Sequence, residues 1–208
     1  MRRPRLSQDT GRSKSPQPHK RLPGRQLRRP RTIFGSVGIA SPLETERLLL
    51  RPMVAADLAH LLGIFGDPAV MAAFREPPLD REQVQRWLER NLDHQREHGF
   101  GLFAVCSRTN DRLIGDCGLE LMELSGERVA ELGYDFRSDC WNRGYATEAA
   151  CAVRDFAFGT LRLPRLVSLI QPGNPASERV AQKVGLKRAG QVQRDDRTYL
   201  RYEIGRPA

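Results

Sequence analysis

Cys140-Trp141-Asn142-Arg143-Gly144-Tyr145-Ala146-Thr147-Glu148 is the stretch of this 208-residue chain composed most like an anion site. It leads from a β-rich segment into one whose Ala149, Ala150, Val153, Phe156 and Ala157 repeat at helical spacing. The first N–H groups of a helix lack intrahelical acceptors and lie at the positive end of its dipole, so a diphosphate can accept several of them. Gly144 and Ala146 would let that backbone approach a ligand closely, although an ordinary strand-to-helix connection can carry the same Gly-x-Ala. A second helix opening, Asn174-Pro175-Ala176-Ser177, has an N-cap residue followed by a proline suited to the first turn. A third candidate is His94-Gln95-Arg96-Glu97-His98, literally H-x-x-E-H, the spacing of two zinc ligands on adjacent helical turns. It falls just before Gly99, where histidines commonly complement a helix C-terminus, so no metal is expected there.

The elements that must position these residues alternate between strand and helix patterns from Leu43 onward. A first strand is expected in Glu46 to Pro52, and a helix over Ala55 to Phe65. Asp80 with Gln83 makes a capping box for a helix whose Val84, Trp87, Leu88, Asn91 and Leu92 share one face until Gly99. Phe100 to Cys106 and Leu113 to Leu121 read as a hairpin across Ser107 to Asp111, and Arg128 to Phe136 adds a strand. Helix Thr147 to Phe158, strand Leu166 to Ile170, helix Pro175 to Val184 and strands Leu186 to Val192 and Thr198 to Ile204 complete the pattern. The expectation is an α/β domain with a central mixed, mostly antiparallel sheet of about seven strands flanked by helices.

Composition narrows the class. The chain has 34 Lys and Arg against 25 Asp and Glu, but residues 1–42 hold eleven of the bases and only one acid, Asp9. The excess is therefore confined to a Pro-, Ser- and Gln-rich segment, expected to be a disordered basic tail, followed by a nearly neutral domain over 43–208. Prolines 4, 16, 18, 23 and 30 oppose the amphipathic helix of an organelle-targeting presequence. No uninterrupted apolar run is long enough for a spanning helix, and the N-terminus lacks the apolar core of a secretory signal. Cys106, Cys117, Cys140 and Cys151 form no C-x-x-C pair and are expected to be reduced, which suits a cytoplasmic protein without membrane partners.

Four segments together resemble the GNAT superfamily of N-acetyltransferases, and within it the RimJ/RimL-like branch of ribosomal-protein-alanine acetyltransferases. Leu43 to Pro52 is similar to that branch's opening strand, and Leu113-Ile114-Gly115-Asp116-Cys117-Gly118-Leu119 to its third. Glu131-Leu132-Gly133-Tyr134 through Trp141 to Ala149 resembles the acetyl-CoA motif, and Asn174 to Ser177 with Val180, Lys183, Gly185 and Leu186 the last motif. Two departures stand out: Asn142 replaces a common glycine, and Leu186 a common phenylalanine. If position 142 needs a positive φ, Asn is the least costly substitute.

The resemblance implies an acyltransferase fold in which acetyl-CoA, as co-substrate and without a metal, lies in a splayed opening of the sheet. Its pantetheine would pair with backbone of Tyr134, Asp135 and Phe136, and its diphosphate would sit on Trp141, Asn142, Arg143, Gly144, Tyr145, Ala146 and Thr147, with Asn174, Ser177 and Lys183 nearby. Ser177 matches the serine that branch places near the thiol. Asp196 stands where it places a Glu base, and Glu131 is the competing base. Each residue also has a purely structural reading: Ser177 bonding helix backbone, Asp196 as a turn acid, Glu131 as a paired strand residue, and Tyr134 and Phe136 as core. An N-terminal α-amine, with a pKa near 7.7–8, asks less of a base than a lysine. The resemblance implies a protein N-terminal amine as acceptor, such as that of a ribosomal protein. The alternative is a small-molecule amine: an amino acid, polyamine or aminoglycoside. Acceptor choice would fall to loops around Phe74 to Asp80 and Asp195 to Tyr199. A rival of another class is a non-catalytic protein that binds RNA or a partner through residues 1–42. The sequence leaves the oligomeric state open.

Overall fold

The computed structural model describes residues 40–194 and 196–207. The expected tail lies outside the described residues as far as residue 39. At its far end Ala40 is half-buried and donates its N–H to the Gly99 carbonyl at 2.8 Å.

A two-residue strand β1 (Leu43–Glu44) and β2 (Leu48–Pro52) open the sheet. In β2, Leu48 and Leu50 are fully buried on one face while Leu49 packs on the other, as strand alternation requires. The helix expected over Ala55 to Phe65 begins as a 3₁₀ turn, Ala55–Asp57, and becomes α1 (Leu58–Phe65). The cause is Asp57, whose carboxylate takes both terminal nitrogens of Arg51 at 2.9 and 2.7 Å and the Val54 N–H at 2.9 Å. A short helix α2 (Pro68–Ala72) follows that sequence patterning did not indicate; Asp67 caps it through the Ala69 N–H, with Pro68 in its first turn.

Helix α3 (Arg81–His98) has both bonds of the expected capping box, Gln83 N–H to Asp80 and Asp80 N–H to Gln83, each 2.8 Å. It ends at Gly99 with φ 76. Its buried Asn91 brackets Leu102, donating to the carbonyl at 2.9 Å and accepting from the N–H at 2.8 Å, so a polar side chain fixes where the next strand begins. Strands β3 (Leu102–Ser107), β4 (Leu113–Leu124) and β5 (Glu127–Phe136) then run as an antiparallel meander. Helix α4 (Tyr145–Gly159), β6 (Arg165–Ile170), α5 (Pro175–Val184), β7 (Lys187–Arg194) and β8 (Arg197–Gly205) complete the domain.

The sheet order is β1-β2-β3-β4-β5-β6-β8-β7, antiparallel except between β5 and β6. It has eight strands rather than the expected seven because β1, too short for a periodicity signal, pairs with β2. One face is covered by α4 and α5 over a core that includes Cys117, Leu132, Phe136, Val153 and Tyr202. The other is covered by α1, α2 and α3 over Leu102, Ala104, Cys106 and Leu113. Among the described residues no helix is long and apolar enough to cross a membrane.

Candidate active site

Glu131 and Val167 form the register pair between the parallel strands β5 and β6, and the Ser168 hydroxyl donates to the Leu132 carbonyl at 3.0 Å just beyond. From there the strands diverge. A cleft of about 800 Å³ opens between them, lined by β5 from Glu131 to Phe136, by residues 168–174, by the first turns of α4 and α5, and by α2. The spacer is Tyr134. Its ring packs in the core under α5 and its hydroxyl donates to the Ser177 carbonyl at 2.8 Å, which holds α5 a side chain's length from β5. Burial pushes the Tyr134 phenol well above its ordinary range, so it stays protonated and the bond persists.

At one end of the cleft the loop before α4 turns through two residues of positive φ. Asn142 has φ 61 and Gly144 φ 81, both left-handed, and Asn142 is a residue type that tolerates the position. Among the described residues, the backbone N–H groups of 142–147 find no acceptor. Trp141 is anchored by its indole N–H on the Phe136 carbonyl at 2.8 Å while 43% exposed. This arrangement fits a diphosphate.

The loop is held from below by residues whose role sequence reasoning missed. Glu148, in the first turn of α4, accepts from the Thr45 hydroxyl at 2.6 Å, the Arg47 N–H at 2.9 Å and the Arg47 Nε at 2.7 Å. Arg47 also donates to the Arg143 carbonyl at 3.0 Å and lies over the Tyr145 ring at 4.7 Å. Burial alone would raise the Glu148 carboxyl, but the Thr45 and Arg47 donors outweigh it and hold it below its ordinary value. About a hundred residues separate these partners, so no local pattern could have revealed them.

At the start of α5, Asn174 caps as expected by accepting the Ser177 N–H at 3.1 Å. Ser177 is half-buried in the cleft lining, and its hydroxyl has no hydrogen-bond partner among the described residues. Lys183 and Asn174 also line the cleft.

Of the two candidate bases, Glu131 is in the cleft and Asp196 is not. Glu131 is 20% exposed; burial pushes it up to about 7, with Arg194 at 3.4 Å opposing the shift and Glu120 adding to it. Asp196 is exposed at the tight turn closing β7 onto β8, where Arg194 pairs with Arg197, and its φ of 60 belongs to that turn. The hairpin geometry thus carries it outside the cleft lining. The adjoining Asp195 lies outside the described residues. Asp135 also faces the cleft and is pushed by burial, then by Glu131, to about 7.

The two loops expected to govern the acceptor do meet here. Arg75 donates to the Pro172 carbonyl at 2.6 Å across the cleft, Arg197 pairs with Glu76, and Phe74 and Tyr199 line the walls. The H-x-x-E-H motif lies elsewhere. Leu121 N–H can only donate, so at 3.0 Å it makes His94 Nε2 an acceptor, and His94 Nδ1 then donates to the Phe100 carbonyl at 2.8 Å. Both ring nitrogens are engaged in joining α3 to the sheet. Among the described residues no cluster of three or more His, Cys, Asp or Glu could hold a metal.

The sequence profile described as "Acetyltransferase (GNAT) domain" matches residues 47–187. The chain is similar to YkkB of Bacillus subtilis (strain 168), described as uncharacterized, at 33% identity over 77% of this chain and 94% of that protein. It is also similar to an acetyltransferase from Agrobacterium tumefaciens str. C58 at 31% identity and TM-score 0.70, over 84% of this chain and 98% of that one. A ribosomal-protein-S5-alanine acetyltransferase from Vibrio fischeri shares the fold at 17% identity and TM-score 0.64, over 79% and 96% of the two chains. With the splayed strands and the left-handed turns before α4 already in place, these matches identify the chain as a member of the GNAT acetyltransferase family.

Proposed function

We propose that this N-acetyltransferase acetylates the primary amine of a small molecule, with Glu131 as its general base. The observation that carries the reading is the position of Glu131 where β5 and β6 part, in the cleft, with a carboxyl raised to about 7. A base poised near the working pH combines a useful ionised fraction with useful proton affinity.

Acetyl-CoA, when bound, supplies an acyl group already activated as a thioester. The chain's residues do the rest. The N–H groups before α4 would hold the diphosphate, and the β5 edge at Tyr134 and Asp135, which lines the cleft, would offer backbone partners to the pantetheine. The amine enters as an ammonium and gives one proton to Glu131. Its nitrogen forms the new C–N bond as the C–S bond breaks, and its second proton passes to the departing sulfur, for which the Ser177 hydroxyl is the candidate donor. Holding the reactants in contact supplies much of the acceleration.

Of the acceptors expected from the sequence, a small molecule is favoured over a protein N-terminus because Arg75 to Pro172 and Arg197 to Glu76 tie chain across the acceptor end. The four free cysteines support a reducing, cytoplasmic setting. A thiol-release assay over amines, amino acids and N-terminal peptides tests the reading. Small amines should turn over faster than peptides, and exclusive turnover of peptides would restore the ribosomal-protein reading.

A further inference from the structure

Residues 67–76, α2 with its flanks, form one wall of the cleft and are tied to three segments distant in sequence. At the start, the Asp67 carboxylate that caps α2 through the Ala69 N–H also accepts the Ser138 hydroxyl. These two donors, Ser138 first, hold the Asp67 carboxyl below its ordinary range, so it stays ionised and keeps accepting. At the end, Arg75 donates to the Pro172 carbonyl at 2.6 Å and Glu76 pairs with Arg197 of the β7–β8 hairpin.

Both ends of this wall reach a helix opening. Ser138 begins the 3₁₀ turn Ser138–Cys140, and its carbonyl accepts the Trp141 N–H at 3.2 Å, so one residue joins Asp67 to the loop before α4. Pro172 lies two residues before Asn174, the cap of α5. A continuous run of bonds thus passes from the loop before α4, through α2, to the loop before α5.

The middle of that run is poorly held by its own backbone. Helix α2 has five residues, well short of the length at which a helix stands alone, so its order comes from its anchors. Val70 and Met71 root its inner side in the core, whereas Ala72 and Arg75 are exposed. Arg75 has a φ of 57, a left-handed conformation that is costly for a residue with a Cβ and persists only where its surroundings impose it. Here the surroundings are the bond to Pro172 and the pair of Glu76 with Arg197, surface contacts that are individually weak. Strain opposed by weak bonds leaves two arrangements close in free energy: Arg75 closed on Pro172, or released.

We propose that residues 67–76 are a strap that passes the state of the diphosphate loop to the acceptor end, with Ser138, Asp67 and Arg75 as its positioning residues. This rests on the acetyl-transfer reading above, in which acetyl-CoA fills the loop before α4. A ligand shifts an equilibrium only by favouring one arrangement over the other. Filling the loop fixes Trp141 and Ser138, Ser138 fixes Asp67 at the start of α2, and the strap then favours Arg75 closed on Pro172. The acceptor wall is therefore completed when a thioester is in place. By reciprocity, closing Arg75 tightens CoA on the loop.

Hydrogen exchange of the full chain with and without CoA tests the strap without chemistry. CoA should slow exchange about tenfold at 72–76 as well as at 142–147. Ser138→Ala should keep the slowing at 142–147 and lose it at 72–76, and Ser138→Thr should restore it. Asp67→Asn, which retains a capping side chain, serves should Ser138→Ala fail to fold. Isothermal titration of CoA completes the test: because Ser138 and Arg75 act along one strap, Ser138→Ala with Arg75→Ala should weaken CoA no more than the stronger single variant does. In thiol release at saturating acetyl-CoA with n-butylamine as probe, Arg75→Ala should raise the amine KM more than it lowers kcat, and Arg75→Lys should recover part of the loss. Slowing at 142–147 with none at 72–76 in the parent protein, full slowing at 72–76 in Ser138→Ala, additive losses in the double variant, or an amine KM unchanged in Arg75→Ala would each overturn the strap while leaving acetyl transfer intact. No binding of CoA would overturn the acetyl-transfer reading and the strap with it. Slowing of both segments without thiol release from n-butylamine would overturn the small-amine reading alone and leave the strap standing.

Discussion

Glu131 on β5 and Val167 on β6 face each other at the point where two parallel strands stop pairing, so the sheet's opening and a carboxyl raised to about 7 coincide. The coincidence has a physical origin. Parting strands leave backbone without a ladder partner, and the space they open excludes enough water to penalise a charge. One feature of the fold thus supplies both an edge for a ligand's amides and a base that can take a proton near neutrality.

For Glu131 the pH profile is diagnostic. Activity should rise as pH climbs through about 7, because the base works only when ionised. Glu131→Gln should lower kcat by about 10²- to 10⁴-fold and abolish that limb. Steady-state rates from pH 5.5 to 9 decide the matter, and a limb that survives the substitution points to another group.

Gly144→Val should weaken acetyl-CoA binding by at least about tenfold, or ~1.4 kcal/mol. The φ of 81 is costly for any residue with a Cβ, and the added carbon would sit 3.4 Å from the Arg47 guanidinium. Asn142→Gly should bind nearly as well as the parent, since glycine also accepts a φ of 61. Isothermal titration of the three proteins separates loop conformation from chemistry.

Glu148→Gln sets two effects against each other. Removing a negative charge from the start of α4 should favour a diphosphate, whereas losing the partner of Arg47 and Thr45 should loosen the loop that binds it. Three short bonds outweigh one charge held by its own counter-ion, so the KM for acetyl-CoA is expected to rise several-fold. The loss of stability should be about 1 kcal/mol, modest because Arg47 is 43% exposed and its charge is screened. Tighter binding in Glu148→Gln would reverse the ranking.

Ser177→Ala should slow turnover while leaving the melting temperature unchanged, since the hydroxyl bonds to no described residue and the Asn174 cap uses only the Ser177 backbone N–H. Normal turnover would remove Ser177 from the proton path.

Stability itself should depend on pH through Asp116. Its carboxyl is raised by burial first, then by Asp135 and Glu120, so the folded state prefers it protonated. The sign follows: its contribution is complete below the unfolded value of 3.8 and is lost as pH rises toward and through the folded value. Asp135, raised to about 7, acts in the same direction. Asp57 and Asp139, which are lowered, act only under more acidic conditions. Calorimetry should therefore show the melting temperature falling between pH 5 and pH 8, and Asp116→Asn should flatten that decline.

The sequence by itself determined what depends on neighbours a few residues apart. Asp80, Gln83 and Gly99 bound α3, and Asn174, Pro175 and Gly185 bound α5, because capping bonds close within one helical turn. Asn142, standing where a glycine is common, was compatible with the left-handed backbone found before α4, because few residue types tolerate it. Only the tertiary structure decided which acid enters the cleft. Asp196 and Glu131 are both acids on strand-rich segments, and hairpin closure sends one to solvent while strand divergence buries the other. The same holds for the grip of Arg47 and Thr45 on Glu148 and for the register that sets Asp116 opposite Asp135. Those contacts arise from register between distant strands, and the low polarizability of the interior they create, which no linear spacing encodes, shifts a carboxyl from an ordinary charge to a base or a silent acid.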